Sequence, residues 1–278
     1  MAFPIPEILS DESKNYRVSI RLLPDGLSFS GYNPTIKGSF FLCEERWESS
    51  RPYAEQLKEF FFAHECLAWS YKETYIVQTQ ADYTLVPLAF YLEREKQELW
   101  RFNCGELEGK RVLANEVNDE KANLLYAMDD ETYEFCQRSF SNPVFVHYLY
   151  ALFPLWREKS LHSLSRQVYG ILSEGRIDLA CYHQGHLLFL NAFEVHSLND
   201  MLYYILYVWK QHRWNALNDP IHLLGDAAVL RELKPALSLY LKQVDTMALP
   251  SEAYLMGTDI LRAPIDLIAL YLYANNQW

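Results

Sequence analysis

Three carboxylates and three histidines are the side chains of this sequence whose types and spacing suggest chemistry. Asp25, Asp178 and Asp226, if brought together, would make an acidic cluster of the kind that holds two metal ions for cutting nucleic acid. Against that reading, Asp25 and Asp226 stand in the dipeptides Asp25-Gly26 and Gly225-Asp226, where an acid is an ordinary turn residue. His183 and His186, with His196 nearby, fall on a strand and a turn and so alternate faces. No Cys or acid at ligand spacing completes a metal site around them, and they read as surface histidines. There is no Walker loop, G-x-G-x-x-G, G-x-S-x-G or H-E-x-x-H. No catalytic residue and no metal ligand is assigned.

These residues must be positioned by two strand-rich stretches. The run Gln167 to Phe193 reads at period two as three strands joined by tight turns. Val168, Gly170 and Leu172 share a face, and after Glu174-Gly175 so do Ile177, Leu179 and Cys181. Gln184-Gly185 then turns the chain into HLLFLNAF, whose apolar residues on both faces predict a strand buried between layers. Near the start of the chain Tyr16, Val18, Ile20 and Leu22 alternate with polar residues, Pro24-Asp25-Gly26 turns, and Leu27 to Ser30 returns. A third strand is expected from Ile36 to Leu42. With Tyr32 laid on Tyr182 the two stretches repeat one another at a spacing of roughly 150 residues, far longer than a solenoid unit. Two similar halves follow, residues 1–150 and 151–278, the first carrying a small inserted subdomain around 84–150.

Between and after the meanders, helices are expected from Ser49 to about Ala63, from Asp129 to about Phe140 and from about Ala151 to Leu164. The charged run EREKQE inside Leu85 to Trp100 reads as an exposed helix face. Ser197-Leu198-Asn199-Asp200 resembles a capping box opening a helix that is apolar nearly all round through Trp209 and so deeply buried. Val229 to Lys242 makes a helix, Val244 to Leu249 a strand, and Ala263 to Ala274 a closing helix. With no Lys or Arg after Arg262, that helix suits packing on its own core better than a membrane surface. Residues 1–15 read as a lead-in arm. Strands alternating with helices, twice over, predict a layered α/β fold.

Composition narrows the partners. A formal net charge of -11 argues against nucleic acid, whose binding rests on clustered Lys and Arg. The five cysteines are widely spaced and lie in apolar contexts, and Met1 opens no basic-apolar leader. They read as reduced thiols of a cytoplasmic protein. The apolar run Met201 to Trp209 is too short to span a bilayer.

Three segments carry a resemblance. LLYAMDDETYEFCQRSFSNPVFVHYLYAL, ILSEGRIDLACYHQGHLLFLNAF and HLLGDAAVLREL resemble the strand-helix-strand, the second phosphate hairpin and the adenosine motif of actin-like proteins of bacterial division and type IV pilus assembly. RVSIRLLPDGLSFS is similar to the opening of an uncharacterised bacterial domain-of-unknown-function family with that fold. The resemblance implies an actin-like ATPase (ribonuclease H-like) fold: two α/β halves, each with a mixed sheet begun by a three-strand antiparallel meander and flanked by helices. It also implies ATP and magnesium as cofactors, with a cleft at Asp25, Gly26, Ser173, Glu174, Gly175, Gly225 and Asp226. Yet the hairpin Asp and Gly of the family fall on Ile171 and Ser173, VSIRLL has no acid, and Asp226 stands where the adenosine motif has its second glycine. An Ile cannot ligate a hard cation. The reading is therefore a non-catalytic binding or scaffold component working through protein partners. The alternative is a divergent ATPase in which Glu174 or Asp226 supplies the carboxylate on the metal side.

Overall fold

In the computed structural model, residues 9–47, 50–79 and 82–273 are described. The start of the lead-in arm, Ser49 and Ala274 lie outside them. Two compact units are formed: Met1–Leu152 together with Pro250–Trp278, and Phe153–Leu249.

The first unit begins with α1 (Leu9–Glu12) and the meander β1 (Arg17–Leu23), β2 (Gly26–Tyr32) and β3 (Phe41–Arg46), followed by α2 (Tyr53–Ala63) and β4 (Glu73–Gln78). An excursion follows: β5 (Tyr83–Pro87), α3 (Lys96–Cys104), β6 (Lys110–Val117) and β7 (Ala122–Asp129). Its strands make a separate sheet of order β5-β7-β6, with Val86, Trp100, Val112, Leu125 and Ala127 as its core. The chain then returns through α4 (Asp130–Ser139) to β8 (Pro143–His147), so the main sheet has the order β3-β2-β1-β4-β8. The inserted subdomain thus ends at β7, and residues 130–147 belong to the main layers.

The second unit takes in α5 (Leu152–Ser160), the meander β9 (Gln167–Ser173), β10 (Arg176–His183) and β11 (His186–Glu194), then α6 (Leu198–Gln211), β12 (Ile221–Leu224), α7 (Ala227–Ser238) and β13 (Val244–Thr246). Its sheet order, β11-β10-β9-β12-β13, repeats that of the first unit. The hairpin registers coincide as well: Arg17 pairs with Tyr32 and Gln167 with Tyr182, a displacement of 150 residues in both strands. On one face of each sheet the period-two apolar residues meet two helices. Val18, Ile20, Leu22, Leu27 and Phe29 pack with Leu57 and Phe61 of α2 and Cys136 of α4. In the second unit, Val168, Leu172, Ile177 and Leu179 pack with Ile205 and Trp209 of α6 and Leu233 of α7. Each such side chain taken from water contributes roughly 1.5–3 kcal/mol, which makes these faces the main source of stability.

The other face of each sheet is covered by a helix that lies elsewhere in the sequence repeat. Trp156 of α5 stacks on Tyr169 of β9 with centroids 5.3 Å apart. The closing helix α8 (Ile265–Tyr273) lies on the first sheet, where Tyr271 Oη is 2.8 Å from Ser30 Oγ. Ile265 to Tyr271 are all buried, in agreement with core packing. The closing segment, expected in the C-terminal half, therefore packs within the first unit.

Three local expectations are corrected. The third strand starts at Phe41 instead of Ile36 because Asn33 folds the preceding loop: its Oδ1 accepts from Thr35 N at 3.1 Å, and its carbonyl accepts from Ser39 Oγ at 2.8 Å. HLLFLNAF is not buried between layers, since β11 closes the sheet order at an edge and Leu188 is 51% exposed. Finally, α6 buries Ile205, Val208 and Trp209 but leaves Tyr203 and Tyr207 outside, stacked on one another at 5.8 Å. In both elements apolar composition was a poor guide to the number of covered faces, because tyrosine and edge leucines tolerate water.

Candidate functional site

The β9–β10 turn, the start of α6 and the start of α7 enclose a cavity of about 420 Å³ in the second unit. Its position follows from two glycines. Gly175 closes the hairpin at φ +70°, a left-handed conformation that a Cβ disfavours. Gly225 leaves β12 at φ +149°, and a Cβ there would lie 2.7 Å from Leu172 Cβ and 2.8 Å from Leu172 O. Only glycine lets the β12–α7 turn press this closely on β9. Asp226 is thereby set beside Ser173, Glu174 and Gly175, all four lining the cavity with Gly225 behind them.

The helix starts are already occupied by the chain's own side chains. Asp226 caps α7, its Oδ1 accepting from Ala228 N at 2.7 Å and Val229 N at 3.3 Å. Ser197 Oγ accepts from Asp200 N at 3.2 Å while Asp200 Oδ2 accepts from His196 N at 2.9 Å, the expected capping box at α6. Three of the backbone amides that could attract an anion at these helix N-termini, Asp200 N, Ala228 N and Val229 N, are in this way satisfied internally. The floor is apolar, from Leu172, Val195, Leu198, Met201 and Val229; Glu232 joins Glu174 and Asp226 at the rim. Among the described residues no Lys or Arg lines it. Glu174 and Glu232 are the rim acids without a capping role, and are the groups a cation would meet. The floor residues escaped sequence reasoning because apolar positions on α6 and α7 look like core. Their signal was the placement of Ser197 and Asp226 as caps directly after strands.

Asp178 is held apart from this rim. It is 1% exposed on β10, opposite Ile171, and receives Arg176 Nε at 3.1 and 3.3 Å. Asp25 and Gly26 belong to the first unit. Asp25 forms an ion pair with Arg46, and its carbonyl accepts from Trp47 N at 2.7 Å. Gly26 accepts from Tyr53 Oη at 2.9 Å, and a Cβ on it would collide with Glu45 O. A hollow of about 410 Å³ beside that turn is bounded by Leu22, Leu23, Pro24, Tyr53, Asp129 and Thr132, without either residue. Asp129 caps α4 there, accepting from Thr132 N and Oγ1 at 2.8 Å each. Arg21, the counterpart of Ile171, binds Asp266 instead of facing a free site. Among the described residues no three His, Cys, Asp or Glu side chains are grouped to hold a metal. Among the described residues the cysteines form no disulfide; burial pushes Cys136 and Cys181 up to about 12 and Cys43 and Cys66 to about 11, so these four stay protonated. Among the described residues no helix is long and apolar enough to cross a membrane.

Twin sheets of the same order, each with a meander and an opposed cross-packed helix, define a protein of the actin-like ATPase fold. A Bacteroides thetaiotaomicron VPI-5482 protein described as having that fold and unknown function is similar at 29% identity, TM-score 0.81, over 96% of this chain and 98% of its own. The PilM-PilN type IV pilus biogenesis complex contains a chain with TM-score 0.56 at 11% identity, over 94% of this chain and 98% of that one. Residues 6–244 match the family described as "Protein of unknown function (DUF3822)". The chain belongs to that family. No curated protein matches it.

Proposed function

We propose that this protein is a non-catalytic binding or scaffold component of the bacterial cytoplasm, built on an actin-like frame with degenerate nucleotide motifs and acting through protein partners. The observation that carries this is the capping of α7 by Asp226 at the mouth of the hairpin cavity. A triphosphate there would meet Glu174, Asp226 and Glu232, with His196 but no Lys or Arg among the described lining residues. Ile171 adds nothing to a magnesium shell, and Asp178 is neutralised by Arg176. The lining therefore does not suit ATP with magnesium. Support for protein partners comes from the fold shared with a chain of the PilM-PilN complex.

A second reading, a divergent ATPase, is favoured by one observation: the cavity lies at the hairpin turn, with Glu174 free of capping duty. Incubation with ATP labelled at the γ-phosphate, with magnesium, separates the two. No phosphate release above buffer is expected. Release that is lost in Glu174→Gln would establish the second reading instead.

A further inference from the structure

Each unit has a cavity at the end of its first hairpin strand, and the chain neutralises only one of the two. In the first unit it lies where β1 ends, against the starts of α2 and α4; in the second it lies where β9 ends, against the starts of α6 and α7. Leu22 and Leu172, counterparts in the sequence repeat, line one each. Each cavity also has one acid committed to a helix cap, Asp129 in the first and Asp226 in the second. The other acid lining the first, Glu131 of α4, is paired with Lys58 of α2. Both of its carboxylates are thus answered from within the chain.

The second cavity is left charged. Glu174 and Glu232 are exposed at its rim and make no hydrogen bond or ion pair among the described residues. His196 is turned to other acids, its Nε2 3.6 Å from Glu194 Oε1 and its amide donating to Asp200. Every Lys and Arg of this sequence is among the described residues, and none lines the cavity. A cation for these two carboxylates must therefore come from another molecule.

The floor says what kind of cation. A bare divalent ion wants a shell of oxygens, whereas the space of about 420 Å³ beneath the rim is walled by Leu172, Met201 and Val229. A charge carried on an apolar stem satisfies both parts, with methylenes on the floor and the head at the rim. Among such groups guanidinium is the less strongly hydrated, and its five donors fork to carboxylates. The net charge of -11 draws a basic partner toward the chain as a whole.

We propose that this cavity receives an arginine side chain from a partner protein, with its stem on Leu172, Met201 and Val229 and its guanidinium at Glu174 and Glu232. The assignment rests on the reading of the protein as a binding component, and it names the chemistry of the segment bound: an arginine between apolar neighbours.

NMR of the full chain, labelled at the methionine and valine methyls, reads the site through Met201 and Val229. The probe n-propylguanidinium, an arginine side chain without its backbone, should shift both with a dissociation constant on the order of 1–10 mM. Butanoate, an anion of similar length, should shift neither. Glu174→Gln combined with Glu232→Gln, at exposed positions without a capping role, should weaken binding of the probe at least ~10-fold. An acetylated and amidated Leu-Arg-Leu peptide should bind more tightly than the probe. No saturable shift with the probe, equal binding of butanoate, or unchanged affinity in the double variant overturns the proposal. A peptide no tighter than the probe would make this a site for a free cation, and Met201 shifts that grow with protein concentration alone would make a second copy the donor; either result overturns the partner assignment. ATP with magnesium, titrated on the same methyls, separates this from the non-catalytic reading: saturable ATP shifts would sink that reading, whereas silence toward both ATP and the probe would remove only the arginine site.

Discussion

Arg21 and Asp266 are joined across 245 positions of sequence, with Nε to Oδ2 at 2.8 Å and Nη2 to Oδ1 at 3.1 Å. The carboxylate side chain is 7% exposed and the guanidinium 16%. This fork clamps α8 to the polar face of the first sheet, where Ser30 and Tyr271 make a second link.

Removing one partner leaves the other desolvated without compensation, which costs roughly 3 kcal/mol for a largely buried pair. Asp266→Ala should lower stability by about that much in denaturant unfolding. Arg21→Leu combined with Asp266→Leu should recover most of the loss. Equal stability of wild type and Asp266→Ala would show that the clamp contributes nothing.

The two cavity glycines should respond differently to a methyl group. Gly175→Ala meets open space and carries only the left-handed penalty, about 1–2 kcal/mol. Gly225→Ala adds a collision with the Leu172 backbone and should cost more, about 3 kcal/mol or above, with strain of this kind near 1–3 kcal/mol before the clash. Thermal melts of both variants rank them; the reverse order would mean that the β12–α7 turn relaxes freely.

His222 gives the second unit a dependence on acid. Its Nε2 donates to Gln167 Oε1 at 2.9 Å and its ring stacks on Tyr169. Burial lowers its pKa below the ordinary histidine value, with Asp245 opposing and Lys159 assisting. The unfolded chain therefore binds this proton first as pH falls through about 6.5, and the native state loses stability from there down to the depressed pKa. Comparing unfolding midpoints near pH 7 and pH 5 should show a larger drop in wild type than in His222→Gln. Equal drops would locate the acid sensitivity elsewhere.

Much of this architecture was legible because local chemistry and tertiary packing agree. The two hairpins, the helix start at Asp129, Ser197 as a cap and the Gly225-Asp226 turn are written in turn residues and period-two patterns. The start of β3 was hidden because Asn33 spends its side chain on a loop that Ile36 to Phe40 does not advertise. Coverage was harder still. Leu188 and Tyr203 are apolar or aromatic yet exposed, and the number of layers over an element is set by distant segments. For the same reason the Arg21 pair was invisible, since nothing near either residue names the other. In the candidate site the rim residues Ser173, Glu174, Gly175 and Asp226 were legible as turns, while Met201 and Val229 became floor only through the close approach at Gly225.

The proposed non-catalytic role makes one prediction about the second unit above all, that its cavity binds no nucleotide. Titration calorimetry of the full chain with ATP and magnesium, paired with thermal melting, addresses it directly. The expected result is no saturable heat at millimolar ATP and an unmoved melting temperature. Saturable binding with a rise in melting temperature, as mass action on the folded state requires, would contradict it and point to Glu174 and Asp226 as the first residues to replace.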